Sequence, residues 1–302
     1  MEQLRREESV SLHETLVHAP LIYRQRTREL MADIYREYVN IALAADLPLL
    51  MCSPTWRCNS ERVAAWTDKG SIICEAHESI NEDSVQFLKS LRAEFDHAME
   101  RLAIGGMVGC RNDCYLPEQS LSTERAELFH AWQIDRLAGA GVDFLIAETL
   151  PETLEALGIA RAMERTGLPY VVSFVIGCDG RILDGRSLAE AMDLIDGSTK
   201  QAPLGYMVNC AHPDFLCMDD QPQEMFSRLL GFLANASSMG HDELEGTDSV
   251  QVDDLDHWAR AMLRLNSHFG VQVLGGCCGT DRRHLKLLAG LPADDSTAPS
   301  TA

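Results

Sequence analysis

The chain lacks the features that would place it at a membrane or on nucleic acid. No stretch of its 302 residues approaches the ~20 uninterrupted apolar residues of a membrane span. Basic residues are scarce: 26 Lys and Arg stand against 46 Asp and Glu, a formal net charge of −20. A field of that sign repels nucleic acid and anionic membrane surfaces, and no basic stripe offsets it. The opening "MEQLRREESVSLHETL" is polar and acidic, unlike a secretory signal, so the expected compartment is the cytoplasm. No Gly-x-Gly-x-x-Gly follows a strand-like run and no P-loop occurs, which weakens a nucleotide-binding reading. No Gly-x-Ser-x-Gly elbow supports serine hydrolysis, and the histidines include no His-x-x-x-His pair.

Cysteine, by contrast, is plentiful, at positions 52, 58, 74, 110, 114, 178, 210, 217, 277 and 278. The spacing is irregular and the chain is large, so a secreted disulfide scaffold is not the expectation. Thiols kept reduced serve packing, metal binding or catalysis.

Apolar residues at 46% and charged residues at 24% describe an ordinary globular chain long enough for one α/β barrel or two smaller domains. Strand-like runs alternate with helical patterns throughout. The runs are "PLIY" (20–23), "LPLLM" (47–51), "IGGMVG" (104–109), "VDFLIA" (142–147), "YVVSFVI" (170–176), "LGYMV" (204–208), "GFLAN" (231–235) and "VQVL" (271–274). Between them, Leu30, Ile34, Tyr38, Ile41, Ala42 and Ala45 mark one helix, and others are expected near 81–102, 123–138, 151–167, 187–196, 222–230, 253–269 and from 281. Eight strand–helix units without a break in composition predict a single TIM-type (β/α)8 barrel over 20–291. An N-terminal extension (1–19) precedes it and a disordered tail (292–302) follows. A doubly wound open sheet is the alternative.

In such a barrel the working residues follow the C-terminal ends of strands. Cys277 and Cys278 stand after the last run, Cys210 after "GYMV", and Glu148 after "DFLIA", so all four are expected at one mouth. Three cysteines with an open fourth position suit a catalytic zinc, and Gly275 with Gly276 is expected to turn the backbone enough for consecutive cysteines to face one ion. Any one cysteine alone would more simply be a small buried hydrophobe. His212, two positions beyond Cys210, is a fourth ligand, a base or a loop-lining residue. The Cys110/Cys114 spacing is weak support for a second metal or redox pair.

"GGCCGT" and "VNC" resemble the two zinc motifs of the homocysteine S-methyltransferase family, which includes betaine–homocysteine methyltransferases. "GVDFLIAETLPETLEA" resembles the family's fourth-strand segment with its Glu148-Thr149 pair. "VVSFVIGCDGRILDGRSLAEA" is similar to the fifth, and "LAN" to the seventh, ending in Asn235. The resemblance implies a barrel with Zn2+ held by Cys210, Cys277 and Cys278, and a methyl passed to a thiol, in homocysteine chemistry and methionine biosynthesis. It implies a small-molecule thiol acceptor and a methyl donor, which is a sulfonium, a quaternary ammonium or a corrinoid. A separate corrinoid protein and a second copy of the chain are the candidate macromolecular partners. Glu148 resembles the residue that binds the acceptor's ammonium group, with helix capping as the alternative role. Zinc-dependent hydrolysis or lysis at the same mouth, and a non-catalytic zinc- or thiol-binding barrel, are the competing functions.

The resemblance fails near the N-terminus. Where the family carries Asp-Gly-Gly, this chain has Tyr23-Arg24-Gln25, and "MCSPTWRCN" (51–59) replaces a Thr-Asn-Thr segment. Tyr23, Arg24 and Thr55 are therefore the candidate acceptor-binding residues. Cys52, Trp56 and Arg57, with Cys110 and Arg111 in "GCRNDCY", are expected near the mouth. Arg24, Arg57 or Arg111 could hold an acidic group bidentately, or form surface ion pairs instead.

Overall fold

A computed structural model describes residues 2–7, 10–67, 78–240 and 251–293. Cys74 and the tail from 294 onward lie outside the described residues. Seven strands form one parallel sheet: β1 (Leu49–Cys52), β2 (Leu102–Gly109), β3 (Phe144–Leu150), β4 (Tyr170–Phe174), β5 (Gly205–Ala211), β6 (Leu229–Ala234) and β7 (Val273–Gly276). Each pairs with the next in chain order, from β1 to β7.

Helices fill the connections. In chain order they are α1 (Glu2–Arg6), α2 (Gln25–Ala44), α3 (Ser60–Thr67), α4 (Ile80–Ala93), α5 (Thr123–Gly139), α6 (Thr153–Glu164), α7 (Leu188–Ser198), α8 (Gln223–Phe226), α9 (Leu255–Phe269) and α10 (Arg282–Leu288). Local chemistry sets several of their ends. Ser187 and Glu190 close a capping box at the start of α7. Asp254 accepts the His257 N–H at 2.7 Å to open α9, and left-handed Gly270 ends it. No helix among the described residues is long and apolar enough to cross a membrane.

The expected first strand is absent. Residues Ala19–Tyr23 form a 3-10 helix with Pro20 in its first turn, and Leu21 and Ile22 are buried. Four apolar residues can be buried by a helical turn as well as by a strand, and proline at the start favours the turn. The sheet therefore has seven strands, not eight, and no ladder joins β7 to β1 among the described residues. The edges are correspondingly wetter. All four residues of β7 are half-buried, and Leu50 in β1 is 38% exposed.

At the centre, every residue of β3, β4 and β5 is buried, as expected for parallel strands covered on both faces. One face carries Phe144, Ile146, Val171 and Met207 in a small inner cluster. The other packs Leu145, Ala147, Val172 and Val208 against the helices. Gly105 leaves room for the Phe144 ring, whose Cζ would lie 2.5 Å from an added Cβ. Close packing here fixes the strand ends that carry the polar residues.

A candidate metal centre at the strand ends

Cys210 is the last residue but one of the buried strand β5, while Cys277 and Cys278 follow β7. Their three sulfurs lie within 4.8 Å of one another, and those of Cys210 and Cys277 are 2.7 Å apart. The chain arrives at this arrangement through backbone contacts. Cys277 N–H donates to the Ala234 carbonyl at 2.7 Å, and Ala236 N–H to the Cys278 carbonyl at 2.9 Å. The Thr280 hydroxyl donates to the Cys277 carbonyl at 2.7 Å. Asn235 Oδ1 accepts the Cys278 N–H at 3.2 Å, and the Trp258 indole N–H donates to the Asn235 carbonyl at 2.8 Å.

The glycines act differently from the expectation. Neither Gly275 nor Gly276 has a positive φ; the left-handed residue of the turn is Gly279, at φ 79°. Gly276 is needed for space, because an added Cβ would lie 2.1 Å from Thr280 Oγ1. Gly275 has Leu233 Cδ2 at 2.7 Å from the same position.

Cys210 and Thr149 share an uncommon backbone. Both are left-handed without being glycine, at φ 55° and 62°. The ladders shift register at the same places, between Ala147 and Leu150 and between Asn209 and Ala211. These irregularities bring Thr149 Oγ1 within 3.8 Å of Cys210 Sγ.

Three thiols this close cannot all ionise without a cation. Cys278 is held well below the ordinary thiol range by bonds from Cys210 and then Cys277. Cys210 is held well above it by its bonds to Cys277 and Cys278 and by burial. Cys277 also stays high: its bond to Cys278 and burial outweigh the opposing effect of Cys210. The donor set, three thiols within 4.8 Å of one another, suits a single thiophilic ion; tetrahedral Zn–S bonds of ~2.3 Å would open the 2.7 Å Cys210–Cys277 sulfur pair to about 3.8 Å.

Glu148 lies beside this cluster in β3, buried, with no hydrogen-bond partner for its carboxyl among the described residues. Burial pushes its carboxyl up to about 7. Trp56 lies over the ends of β2 and β3. Its indole N–H donates to the Glu148 carbonyl at 3.2 Å, and its Nε1 fills the space where a Gly109 Cβ would sit. Arg57 stacks on the Trp56 ring at 4.0 Å.

A family profile described as homocysteine S-methyltransferase matches residues 1–291. The chain belongs to the homocysteine S-methyltransferase family. Curated relatives are distant. Homocysteine S-methyltransferase 2 of Arabidopsis thaliana is 26% identical over 53% of this chain and 48% of its own. Homocysteine S-methyltransferase 1 of Zea mays is 23% identical over 70% of each. The selenocysteine methyltransferase of Astragalus bisulcatus is 24% identical over 68% of this chain and 61% of its own. The chain thus spans about half the length of the first of these relatives and 70% of the second. The metallated form of the homocysteine methyltransferase MmuM from Escherichia coli superposes with a TM-score of 0.72 at 17% identity. That superposition covers 96% of this chain and 93% of MmuM. At that identity it shows a shared, TIM-barrel-like fold.

Within this homocysteine S-methyltransferase fold, the expected site residues divide. Cys210, Cys277, Cys278, Glu148 and Thr149 meet at the strand ends, with Asn235 wired to the cysteine turn rather than free in the mouth. Thr55 is fully buried, and its hydroxyl is spent on the Met107 carbonyl at 2.6 Å and on Ser53 Oγ at 2.7 Å. Tyr23 donates to Asp83 Oδ2 at 2.7 Å and packs beside Trp66. Arg24 is exposed at the start of α2, without an ion pair among the described residues. Among the described residues, no hydrogen bond joins these three to the sulfur cluster.

The arginines near the mouth are committed elsewhere. Arg111 forks onto Glu61 through Nε at 3.1 Å and Nη2 at 2.9 Å. Arg57 donates to the Cys110 carbonyl at 3.1 Å and to the Asn112 carbonyl. Cys110 and Cys114 are buried in the main core cluster. His212 lines its loop. Its ring nitrogens face Asp214 at 3.5 Å and Asp253 at 3.6 Å, and the three-sulfur group does not include it.

Sequence reasoning missed three groups. Tyr115 is raised by burial and then by Cys210, Cys114, Cys278 and Cys277, which places its phenol near the sulfurs. His130 and Glu155, both buried, bond at 3.0 Å, and Glu155 also accepts N–H groups of Arg111 at 2.8 Å and Leu121 at 3.0 Å. That pair pins the segment carrying Cys114 and Tyr115. Asn209 was read only as part of the "VNC" motif and given no role of its own; a lone polar residue inside "GYMVNC" was its signal.

Proposed function

We propose that this chain is a zinc-dependent S-methyltransferase that transfers a methyl group to an exogenous thiol. The observation that carries the reading is the three-cysteine cluster at the strand ends, beside a buried Glu148 whose carboxyl has no hydrogen-bond partner among the described residues. Membership of the family supports it. Cys210, Cys277 and Cys278 would hold the ion. Bound there, zinc supplies the acidity that makes an acceptor thiol a thiolate at neutral pH.

The chain's own groups supply position. Asn235 Oδ1 and Thr280 Oγ1 orient the turn that presents Cys277 and Cys278. Glu148, ionised once a cation lies beside it, pairs with the ammonium of an amino-acid thiol. The acceptor sulfur attacks the methyl carbon in line. A C–S bond forms as the bond to a sulfonium sulfur, an ammonium nitrogen or a corrinoid cobalt breaks, and the electron pair leaves with the donor atom.

The acceptor end differs from the family pattern at Tyr23-Arg24-Gln25, where the side chains are bulky and no carboxylate remains. We therefore assign the acceptor as a thiol other than plain homocysteine, or homocysteine held differently. Methyl transfer is assayed against a panel of thiols. The donors are a sulfonium, a quaternary ammonium compound and a methylated corrinoid protein. Zinc-dependent, donor-dependent methylation of one thiol is expected. Efficient turnover of homocysteine refutes the altered acceptor. Bound zinc with no methylation of any thiol refutes the transferase.

A further inference from the structure

Asparagine is a poor strand residue, and a buried carboxamide is costly unless all its hydrogen bonds are made. Asn209 is 1% exposed in the middle of the sheet. Its carboxamide uses its whole capacity. Oδ1 accepts from Thr149 N–H at 2.8 Å and from the Ser173 hydroxyl at 2.7 Å. Nδ2 donates to Thr149 Oγ1 at 2.6 Å and to Cys210 Sγ at 3.4 Å. One side chain on β5 thus ties together β4, the left-handed Thr149 on β3, and the sulfur of its own left-handed neighbour.

We infer that Asn209 is a positioning residue for the metal site: its N–H···S bond fixes the Cys210 sulfur and links it to the Thr149 turn beside Glu148. The inference rests on the reading of the three cysteines as metal ligands. A left-handed Cys210 aims its side chain in a direction that a regular strand residue would not. The only side-chain amide that reaches its sulfur, among the described residues, is that of Asn209. The Thr149 hydroxyl, 3.8 Å from the same sulfur, is held by the same amide. Outer hydrogen bonds of this kind set both the place and the donor strength of a ligand.

A merely structural role would make Asn209 a plug for the polar atoms of β3 and β4. Ser173 separates the two roles, because it bonds the same carboxamide on the oxygen side, away from the sulfur. Four forms are compared as full chains: wild type, Asn209→Asp, Asn209→Ala and Ser173→Ala. Asn209→Asp keeps an oxygen for Thr149 N–H and Ser173, removes the amide donor and leaves the packing volume unchanged. Asn209→Ala removes every bond. Each is stripped of metal and its thermal midpoint is measured. Each is then titrated with Co(II), read by its thiolate-to-cobalt charge-transfer bands, and with zinc against a chromophoric chelator.

The expected result is a 10–100-fold loss of zinc affinity in both Asn209 variants, with the charge-transfer bands moved to lower energy. Ser173→Ala should lower the midpoint yet keep wild-type bands and an affinity within about threefold of wild type, the effect expected of a bond that does not touch the ligand. The inference is overturned if Asn209→Asp binds zinc as tightly as wild type with unchanged bands. It is equally overturned if Ser173→Ala weakens zinc as much as the Asn209 variants do. Cys277→Ser is the control for the underlying reading. If it binds cobalt as wild type does, the three-cysteine site is wrong and the inference goes with it.

Discussion

Replacing Gly276 with alanine adds one methyl group behind the cysteine turn, and its cost can be worked from the contacts. The new Cβ would meet Thr280 Oγ1 at 2.1 Å and Thr280 Cβ at 2.7 Å. Thr280 must move, and its hydroxyl then loses the Cys277 carbonyl, now 2.7 Å away. Overpacking costs roughly 1–3 kcal/mol, and the lost hydrogen bond about 1 kcal/mol. Because Gly276 lacks a positive φ, alanine also narrows the unfolded ensemble, which returns ~0.4–1 kcal/mol. The net destabilisation is about 2 kcal/mol. The measurement is urea unfolding with excess chelator, so that metal does not contribute. In a Thr280→Ala background the worst contact is gone and the hydrogen bond is already absent. The same substitution should then cost at least ~1 kcal/mol less, the coupling expected of two residues in contact. Equal costs in the two backgrounds, or a Gly276→Ala protein as stable as wild type, would refute this account of the glycine.

Other outcomes follow from the same geometry. Cys277→Ser should lose bound zinc on metal analysis, whereas Cys110→Ser, whose sulfur is buried in the core, should retain it. Glu148 has a folded-state pKa of about 7, above its ordinary 4.5, through burial. It therefore adds stability that is fully present below the ordinary value and is lost as pH rises through about 7. The loss is on the order of 3 kcal/mol, and Glu148→Gln should flatten that slope in metal-free unfolding measured across pH 4 to 8. His130→Ala removes a partner of the buried Glu155 carboxylate and opens a cavity. A destabilisation of about 2–4 kcal/mol is expected, with faster proteolysis or hydrogen exchange in the 111–121 segment that Glu155 holds.

The sequence made the parallel sheet legible because the strands are long apolar runs separated by helices with clear stops. It was silent where a segment is too short for periodicity to speak: the apolar 20–23 stretch buries Leu21 and Ile22 through a 3-10 turn. The expected helix at 222–230 shrinks to Gln223–Phe226 because Leu229 already pairs in β6. The cysteines were readable because adjacent thiols after a strand have few structural uses. Thr55 was not, since whether a threonine just beyond a strand end faces the mouth or the interior is set by the backbone of an irregular loop. Asn235 was noticed, but its job of holding the Cys278 N–H depends on a turn between distant segments.

The left-handed pair at the mouth, Thr149 and Cys210, has a consequence for engineering. Each keeps a conformation that costs a residue with a side chain ~1–2 kcal/mol and glycine almost nothing. On backbone strain alone glycine would be favoured at both positions. At 149 it would erase the hydroxyl that Asn209 grips, and at 210 the sulfur itself. Relief of backbone strain and the hydrogen-bonded chemistry of the mouth pull these two positions in opposite directions. A heat-stabilised variant that leaves both residues intact would have to gain its stability elsewhere in the fold.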